Sequence, residues 1–322
     1  MQRRVSMADV AAAAGVSGQT VSRVVNGSPR VDPATRARVE EAMATLGYRM
    51  HRAARALRTG RTETIGLMVS TLATVGNSRM LQAIADAAAA RGYALTVVTA
   101  AGADAVADGF ARLHDQGIDG VIVLNEATVA ARTVSVPDGL ALVVVDSPPD
   151  HRYTIAQIDH AAGARIATEH LVGLGRGTVW HLAGPDGSYA AAQREAGWRA
   201  ALADAGLTPP VPLRGDWTAA SGHRAAQELS TDAGALFVAN DQMALGALRA
   251  LAEQGRSVPE DVAVVGFDDV ADASEYRPPL TTVRQDFEQL GALAVDALVA
   301  RIAGAEPASV SLAPTLVVRV SA

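Results

Sequence analysis

Two groups of side chains in this sequence are of types that do recognisable chemistry. The first is compact: Gln19 and Arg23 stand four residues apart, with short hydroxyls at Ser17, Thr20 and Ser22. Glutamine pairs bidentately with adenine, arginine with guanine, and small hydroxyls suit phosphate oxygens. The second group is dispersed. Ser70, Asn125, Asp146, Asn240 and Asp268 follow apolar runs that read as strands, and Arg194, Trp217, Gln285 and Phe287 stand at comparable edges. Each alone could cap a helix or solvate a loop, and Asn240-Asp241 reads equally as an N-cap pair. Together they suit a polyhydroxylated ligand: carboxylates accept from vicinal hydroxyls, arginine and amides donate back, and aromatic rings cover an apolar sugar face.

Other chemistry is poorly represented. The 322 residues contain no cysteine, which removes disulfides, thiolate metal sites and thiol nucleophiles together. There is no Gly-rich dinucleotide fingerprint, P-loop or nucleophile elbow; Gly173-Leu174-Gly175-Arg176-Gly177 lacks both the spacing and a preceding strand. No cofactor and no metal are expected. Asp146 and Asp268 could be imagined as the acid–base pair of a sugar-processing enzyme, but binding accounts for the same residues without turnover, and no enzyme is expected.

The elements that must position the first group are short helices. Ser6 and Asp9 fit a capping box, opening a helix to about Ala14. Gly15 supplies a tight turn, and Ser17 is an N-cap for a second helix through Asn26. Gly27-Ser28-Pro29 breaks it, and Asp32-Pro33 starts a third helix to about Leu46. Val10, Val16, Val21, Val25, Val39, Met43 and Leu46 are spaced to form one small core. Helix, glycine turn, helix is the helix-turn-helix pattern, whose second helix enters a DNA major groove. A generic three-helix subdomain is the plainer alternative.

Residues 49–61 form a basic, helix-permissive segment too short to be a stable helix alone. Composition by itself favours a solvated linker. Residues 1–61 carry eleven Arg against four acids, net +7, whereas the remainder carries seventeen Arg against thirty acids, net −13. A basic head on an acidic body points to a polyanion partner.

From Thr64 the pattern changes to β-branched runs alternating with Ala-rich helical stretches. Strands are expected at 65–69, 95–99, 120–124, 142–145, 179–183, 236–239, 262–266 and 281–284, with helices such as 81–91, 163–174, 195–205 and 241–254 between them. Alternation of this kind implies parallel sheets covered on both faces, in which ligands sit beyond the carboxyl ends of the strands. The run is too long for one compact sheet, so two lobes are expected, connected near Ile158-Asp159. Apolar residues make up 49% of the chain, but no stretch reaches the ~18 a membrane span requires. The first residues are amphipathic rather than a signal core. A soluble cytoplasmic protein with no membrane partner is expected, associated with the nucleoid if it binds DNA.

The run Met7-Ala8-Asp9-Val10-Ala11 through Gly15-Val16-Ser17, then Thr20-Val21-Ser22-Arg23-Val24-Val25-Asn26, resembles the head of the lac repressor family. Thr35-Arg36 and the stretch from Val39 to Tyr48 continue the likeness. It extends over the body through Glu169-His170-Leu171, Gly215-Asp216-Trp217, the stretch from Val238 to Ala247, and Pro278-Pro279-Leu280-Thr281-Thr282 with Gln285-Asp286-Phe287. Several of these are similar nearly letter for letter to the family's namesake.

The resemblance implies an all-α helix-turn-helix head at 1–48, a hinge helix at 49–62, and a two-lobed α/β effector domain like the periplasmic binding proteins at 63–322. Lobe 1 would comprise about 63–158 and 286–312, and lobe 2 about 159–285 and 313–322. DNA contacts would fall on Ser17, Gly18, Gln19, Thr20, Ser22, Arg23, Asn26, Arg30 and Thr35. In the hinge, Leu57 would wedge a minor-groove base step beside the small Ala54. The effector contacts would be Ser70, Asp146, Arg194, Trp217, Asn240, Asp268, Gln285 and Phe287, a set more like a galactoside pocket than a purine pocket. The function implied is a homodimeric repressor on near-palindromic operator DNA, released by a small sugar; relatives with a corepressor, and solute-binding proteins of the same fold, are the alternatives.

Three departures matter. Gly18 stands where the namesake has a base-reading tyrosine, which implies a different operator. Thr74-Val75-Gly76-Asn77 and Ile158 differ from the apolar wall that faces a ligand's aglycone. The chain ends at Val318-Arg319-Val320-Ser321-Ala322 without a leucine-heptad tail, which favours a dimer over a tetramer.

Overall fold

A computed structural model describes residues 5–25, 28–48, 60–124 and 126–322. Asn26, the hinge positions Ala54 and Leu57, and Asn125 lie outside the described residues. The chain divides into two compact units, Met1–Thr62 and Glu63–Ala322.

The smaller unit holds α1 (Met7–Ala14), α2 (Gly18–Val25) and α3 (Pro33–Leu46). Local side-chain chemistry sets each boundary. Ser6 and Asp9 close a reciprocal capping box on α1, and Gly15 ends the helix in the left-handed region at φ 63°. The Ser17 hydroxyl accepts from the Thr20 amide at 3.1 Å, and the Asp32 carboxylate accepts from the Thr35 amide at 3.0 Å. The three helices close over Val10, Val21, Val24, Val31 and Val39. Val16, Val25, Met43 and Leu46 pack around that core half-buried. Val24, not singled out in the sequence, is more deeply buried than the adjacent Val25.

The larger unit contains two six-stranded sheets. The first is built from β1 (Thr64–Val69), β2 (Ala94–Thr99), β3 (Gly120–Leu124), β4 (Ala141–Val145), β5 (Thr154–Ile158) and β11 (Ser309–Leu312). Its strands run parallel in the order β11-β5-β4-β3-β1-β2. The second is built from β6 (Trp180–Ala183), β7 (Leu213–Arg214), β8 (Ala235–Val238), β9 (Ala263–Asp268), β10 (Thr281–Arg284) and β12 (Thr315–Val317). Its order is β12-β10-β9-β8-β6-β7, parallel except for β12 against β10. Helices α4 (Val75–Ala90), α5 (Ala103–Asp115), α6 (Glu126–Ala131) and α11 (Phe287–Ile302) belong with the first sheet, and α7 (His160–Gly173), α8 (Tyr189–Asp204), α9 (Ala219–Ala226) and α10 (Asp241–Glu253) with the second. Burial on both faces explains why the central strands read as unbroken apolar runs.

The chain passes between the lobes three times: from β5 to α7 at Ile158–His160, from β10 to α11 at Gln285-Asp286, and from β11 to β12 at Ala313-Pro314. Strands β5, β7, β11 and β12 carry no strong pattern in the sequence. β7 and β12 are two and three residues long, and β11 is largely exposed at a sheet edge. Helices α4 and α8 begin six residues earlier than their apolar spacing indicates. Thr74 and Ser188 cap them by accepting from the amides of Asn77 and Ala191. Their first turns place Gly76 and Asn77, and Tyr189 and Ala190, toward the space between the lobes, so no apolar stripe marks them.

Two helix pairs pack backbone to backbone through glycine. A Cβ on Gly197 of α8 would collide with the Ala161 carbonyl of α7, and one on Gly246 of α10 with the Ala219 carbonyl of α9. Gly197→Ala and Gly246→Ala should each destabilise the body by ~1–3 kcal/mol, the usual cost of overpacking; chemical denaturation of the variants checks this.

Candidate functional site

A cavity enclosing about 630 Å³ of empty space, counted out through its mouth, lies between the two lobes. Seven of the nine residues expected to hold a ligand line it: Asp146, Arg194, Trp217, Asn240, Asp268, Gln285 and Phe287. Asp146 and Phe287 come from the lobe 1 side, Arg194, Trp217, Asn240 and Asp268 from the lobe 2 side, and Gln285 from the crossing itself.

Ser70 differs. It directly follows β1 and stays off the cavity wall; the loop continues through Thr71 before Thr74, Gly76 and Asn77, at the start of α4, reach the cavity. Ile158, expected on the aglycone side, is buried beneath the wall rather than on it. Ser188, Tyr189 and Ala190, not singled out in the sequence, also line the cavity. These form the start of α8 after β6, and a Gly187-Ser188 N-cap signal beyond a strand end could have indicated them.

Arg194 is the centre of the site. Its side chain is only 5% exposed, and the guanidinium carbon lies 3.8 Å from the Phe267 ring centroid and 5.5 Å from that of Trp217. Nη1 donates to the Ala239 carbonyl and stands 3.6 Å from Asp268 Oδ1; Nη2 is 3.3 Å from His160 Nδ1. Nε is buried with no hydrogen-bond partner among the described residues. Burial lowers the Arg194 pKa against the opposing pull of Asp268, Asp146 and Asp241, yet a guanidinium stays protonated in proteins. Desolvation raises the Asp268 pKa, opposed by Arg194 and by the hydrogen bond from Gln285 Nε2.

Three of these residues occupy backbone conformations that side chains disfavour: Asp146 at φ 55°, Trp217 at φ 73° and Asp268 at φ 117°. Such conformations persist only where surrounding structure over-determines them, and they cluster at ligand sites. The Trp217 ring rests on Gly184, where a Cβ would overlap it. Asn240 secures the next loop: its Oδ1 caps α10 through the Met243 amide at 3.0 Å, and its Nδ2 donates to the Trp217 carbonyl at 3.1 Å. Asp241 is fully buried, accepting from the Thr282 hydroxyl at 2.6 Å and the Val270 amide at 2.9 Å.

In the smaller unit, Ser17, Gly18, Gln19 and Arg23 of the α2 region are exposed, as is Arg30, while Thr20, Ser22 and Thr35 are half-buried. Gln19 and Arg23, four residues apart, are exposed on one helix face.

Family comparisons bear on both units. Residues 6–50 match the family described as bacterial regulatory proteins, lacI family, and residues 168–322 match the periplasmic binding protein-like domain. The lactose operon repressor of Escherichia coli (strain K12) is 40% identical over 306 residues, spanning 92% of this chain and 84% of that protein. The chain belongs to the lacI family. It is a DNA-binding transcriptional repressor of that family, built from a helix-turn-helix head and a two-sheet α/β body. A solved lac repressor dimer, bound to operator and the anti-inducer ONPF, matches 99% of both chains with a TM-score of 0.88 and 36% identity. The CelR regulator in complex with cellobiose matches 99% of this chain and 100% of its own with a TM-score of 0.76 and 35% identity. No helix among the described residues is long and apolar enough to cross a membrane.

Burial, reinforced by the nearby Asp268 charge, holds the Asp241 pKa well above its ordinary 3.8. A raised folded-state pKa means that protonated Asp241 contributes stability in full below pH 3.8, and that this contribution is lost as pH rises through the folded value. The repressor's melting temperature should therefore fall with rising pH over that window. Asp241→Asn, which mimics the protonated acid, should show a flatter profile in parallel melts.

Proposed function

We propose that this repressor is released from a near-palindromic operator by a small sugar, a galactoside or related glycoside, bound between the lobes of each protomer of a homodimer. One observation carries the reading. A buried arginine, two carboxylates, an asparagine and two aromatic walls converge on a single interlobe cavity. Arg194 supplies donors to ring hydroxyls, Asp146 and Asp268 accept from them, and Trp217 and Phe287 cover the apolar face. Two related structures, an operator-bound lac repressor dimer and a cellobiose-bound CelR, support both halves of the proposal.

The mechanism follows from where the cavity lies. Two of the crossings, Ile158–His160 and Gln285-Asp286, lie in or directly beside the residues that would touch ligand. A sugar that binds one lobe arrangement better than the other shifts the equilibrium between them, and couplings of this kind are typically ~1–3 kcal/mol per site. In the dimer this shift separates the two hinges and weakens their hold on DNA. The chemistry at the cavity is binding rather than turnover: Asp268 is tied to Arg194 and Gln285, and Asp146 lies beside His160, so neither is poised as a free acid or base.

Operator binding at fixed salt, with a panel of galactosides and glucosides, tests the proposal. A galactoside or related glycoside should release the DNA; tighter binding on adding sugar would make the ligand a corepressor, and no effect from any sugar would overturn the sugar reading. Arg194→Gln should raise the releasing concentration at least tenfold while operator affinity without sugar changes little. Leu57→Gly should lower specific binding far more than nonspecific binding, as read by competition with random DNA; equal losses would return residues 49–61 to a plain linker.

A further inference from the structure

Beneath the cavity wall, His160 occupies a position that ligand contacts alone do not explain. It is the first residue of α7, immediately after the β5 crossing, with Asp159 capping the helix through the Ala162 amide at 2.9 Å. Its side chain is 1% exposed and packs 6.0 Å from the Phe267 ring centroid. On one side Nδ1 lies 3.3 Å from Arg194 Nη2, in lobe 2. On the other, Nε2 lies 3.0 Å from Asp146 Oδ1, at the end of β4 in lobe 1.

The two contacts are unequal. A guanidinium only donates, so Nδ1 must present its lone pair and the proton resides on Nε2. That N–H approaches Asp146 but is not aligned with it, and Nε2 has no hydrogen-bond partner among the described residues. Among the described residues, Asp146 Oδ1 is held otherwise only by a long 3.4 Å bond from the Ile158 amide. A buried donor thus stands beside a loosely held acceptor across the junction of the lobes.

We infer that His160 is a positioning residue that couples the effector to the lobe arrangement, joining Arg194 in one lobe to Asp146 in the other. This rests on the sugar-released reading above. A ligand hydroxyl that engages Asp146 reorients its carboxylate, and the Nε2–H···Oδ1 bond then closes, drawing the end of β4 toward α7 and α8. The charged groups facing the imidazole are Asp146 from β4, Arg194 from α8 and Asp268 from β9, with Asp159 adjacent on its own segment. Protonating Nδ1 removes the acceptor that Arg194 uses.

The experiment uses the full-length protein, with lactose and cellobiose as probes. Nitrogen-15 NMR of the sugar-free protein should show His160 bare at Nδ1 and protonated at Nε2; the opposite tautomer overturns the inference whether or not any sugar acts. With the sugar that releases operator, His160→Leu should raise the half-releasing concentration tenfold or more, and His160→Gln, which retains a donor toward Asp146, should recover part of that loss. A wild-type response in His160→Leu, or no recovery in His160→Gln, overturns the coupling. If neither sugar releases DNA, the galactoside and glucoside panel decides the sugar reading separately, and the tautomer measurement still decides the arrangement of His160.

Discussion

A guanidinium buried where two lobes meet is the constraint on which the rest of this body depends. Removing such a charge from water is costly unless geometry and hydrogen bonds offset the loss. Arg194 meets that demand with the Ala239 carbonyl, the Asp268 carboxylate, the His160 lone pair and the face of Phe267. Each partner is tied in turn: Asp268 to Gln285, the loop after Ala239 to Asn240, and Asn240 to the Trp217 carbonyl. The positive φ angles at Asp146, Trp217 and Asp268 are local costs sustained by this network.

The sheets explain why the network falls where it does. In parallel α/β lobes the carboxyl ends of the strands all open to one side, and loops there carry the polar groups. Here the ends of β4, β6, β8 and β9 face one cavity from two lobes. Thr74, Ser188 and Asn240 cap three helices at its wall, so part of the cavity's polar lining also satisfies the first turns of α4, α8 and α10. A ligand that fits this space replaces water around groups already held in place, which is the general advantage of a pre-organised site.

The smaller unit follows a different logic. Its core is a few valines and alanines, and Gln19 and Arg23 are exposed on one short helix. The charge contrast between the first 61 residues and the acidic remainder favours a DNA partner for the head while the body repels nonspecific contact with the same polymer.

How much of this was legible in the sequence depends on the range of the interactions concerned. Caps and turns act over three or four residues, so Ser6, Gly15, Ser17 and Asp32 marked the head helices correctly. Apolar runs located the buried strands for the same reason, while β7, β11 and β12 escaped notice because short edge strands bury too little to leave a pattern. Residue type and position after a strand, joined to the family resemblance, were enough to nominate Asp146, Arg194, Trp217, Asn240 and Asp268. Only the tertiary structure decided that Thr74 and Asn77 rather than Ser70 reach the cavity, that Ser188 and Tyr189 complete its wall, and that His160 stands between Asp146 and Arg194. Those outcomes depend on where the chain crosses between sheets and how two lobes close on each other. The groups involved lie far apart along the chain, so no local spacing encodes their meeting.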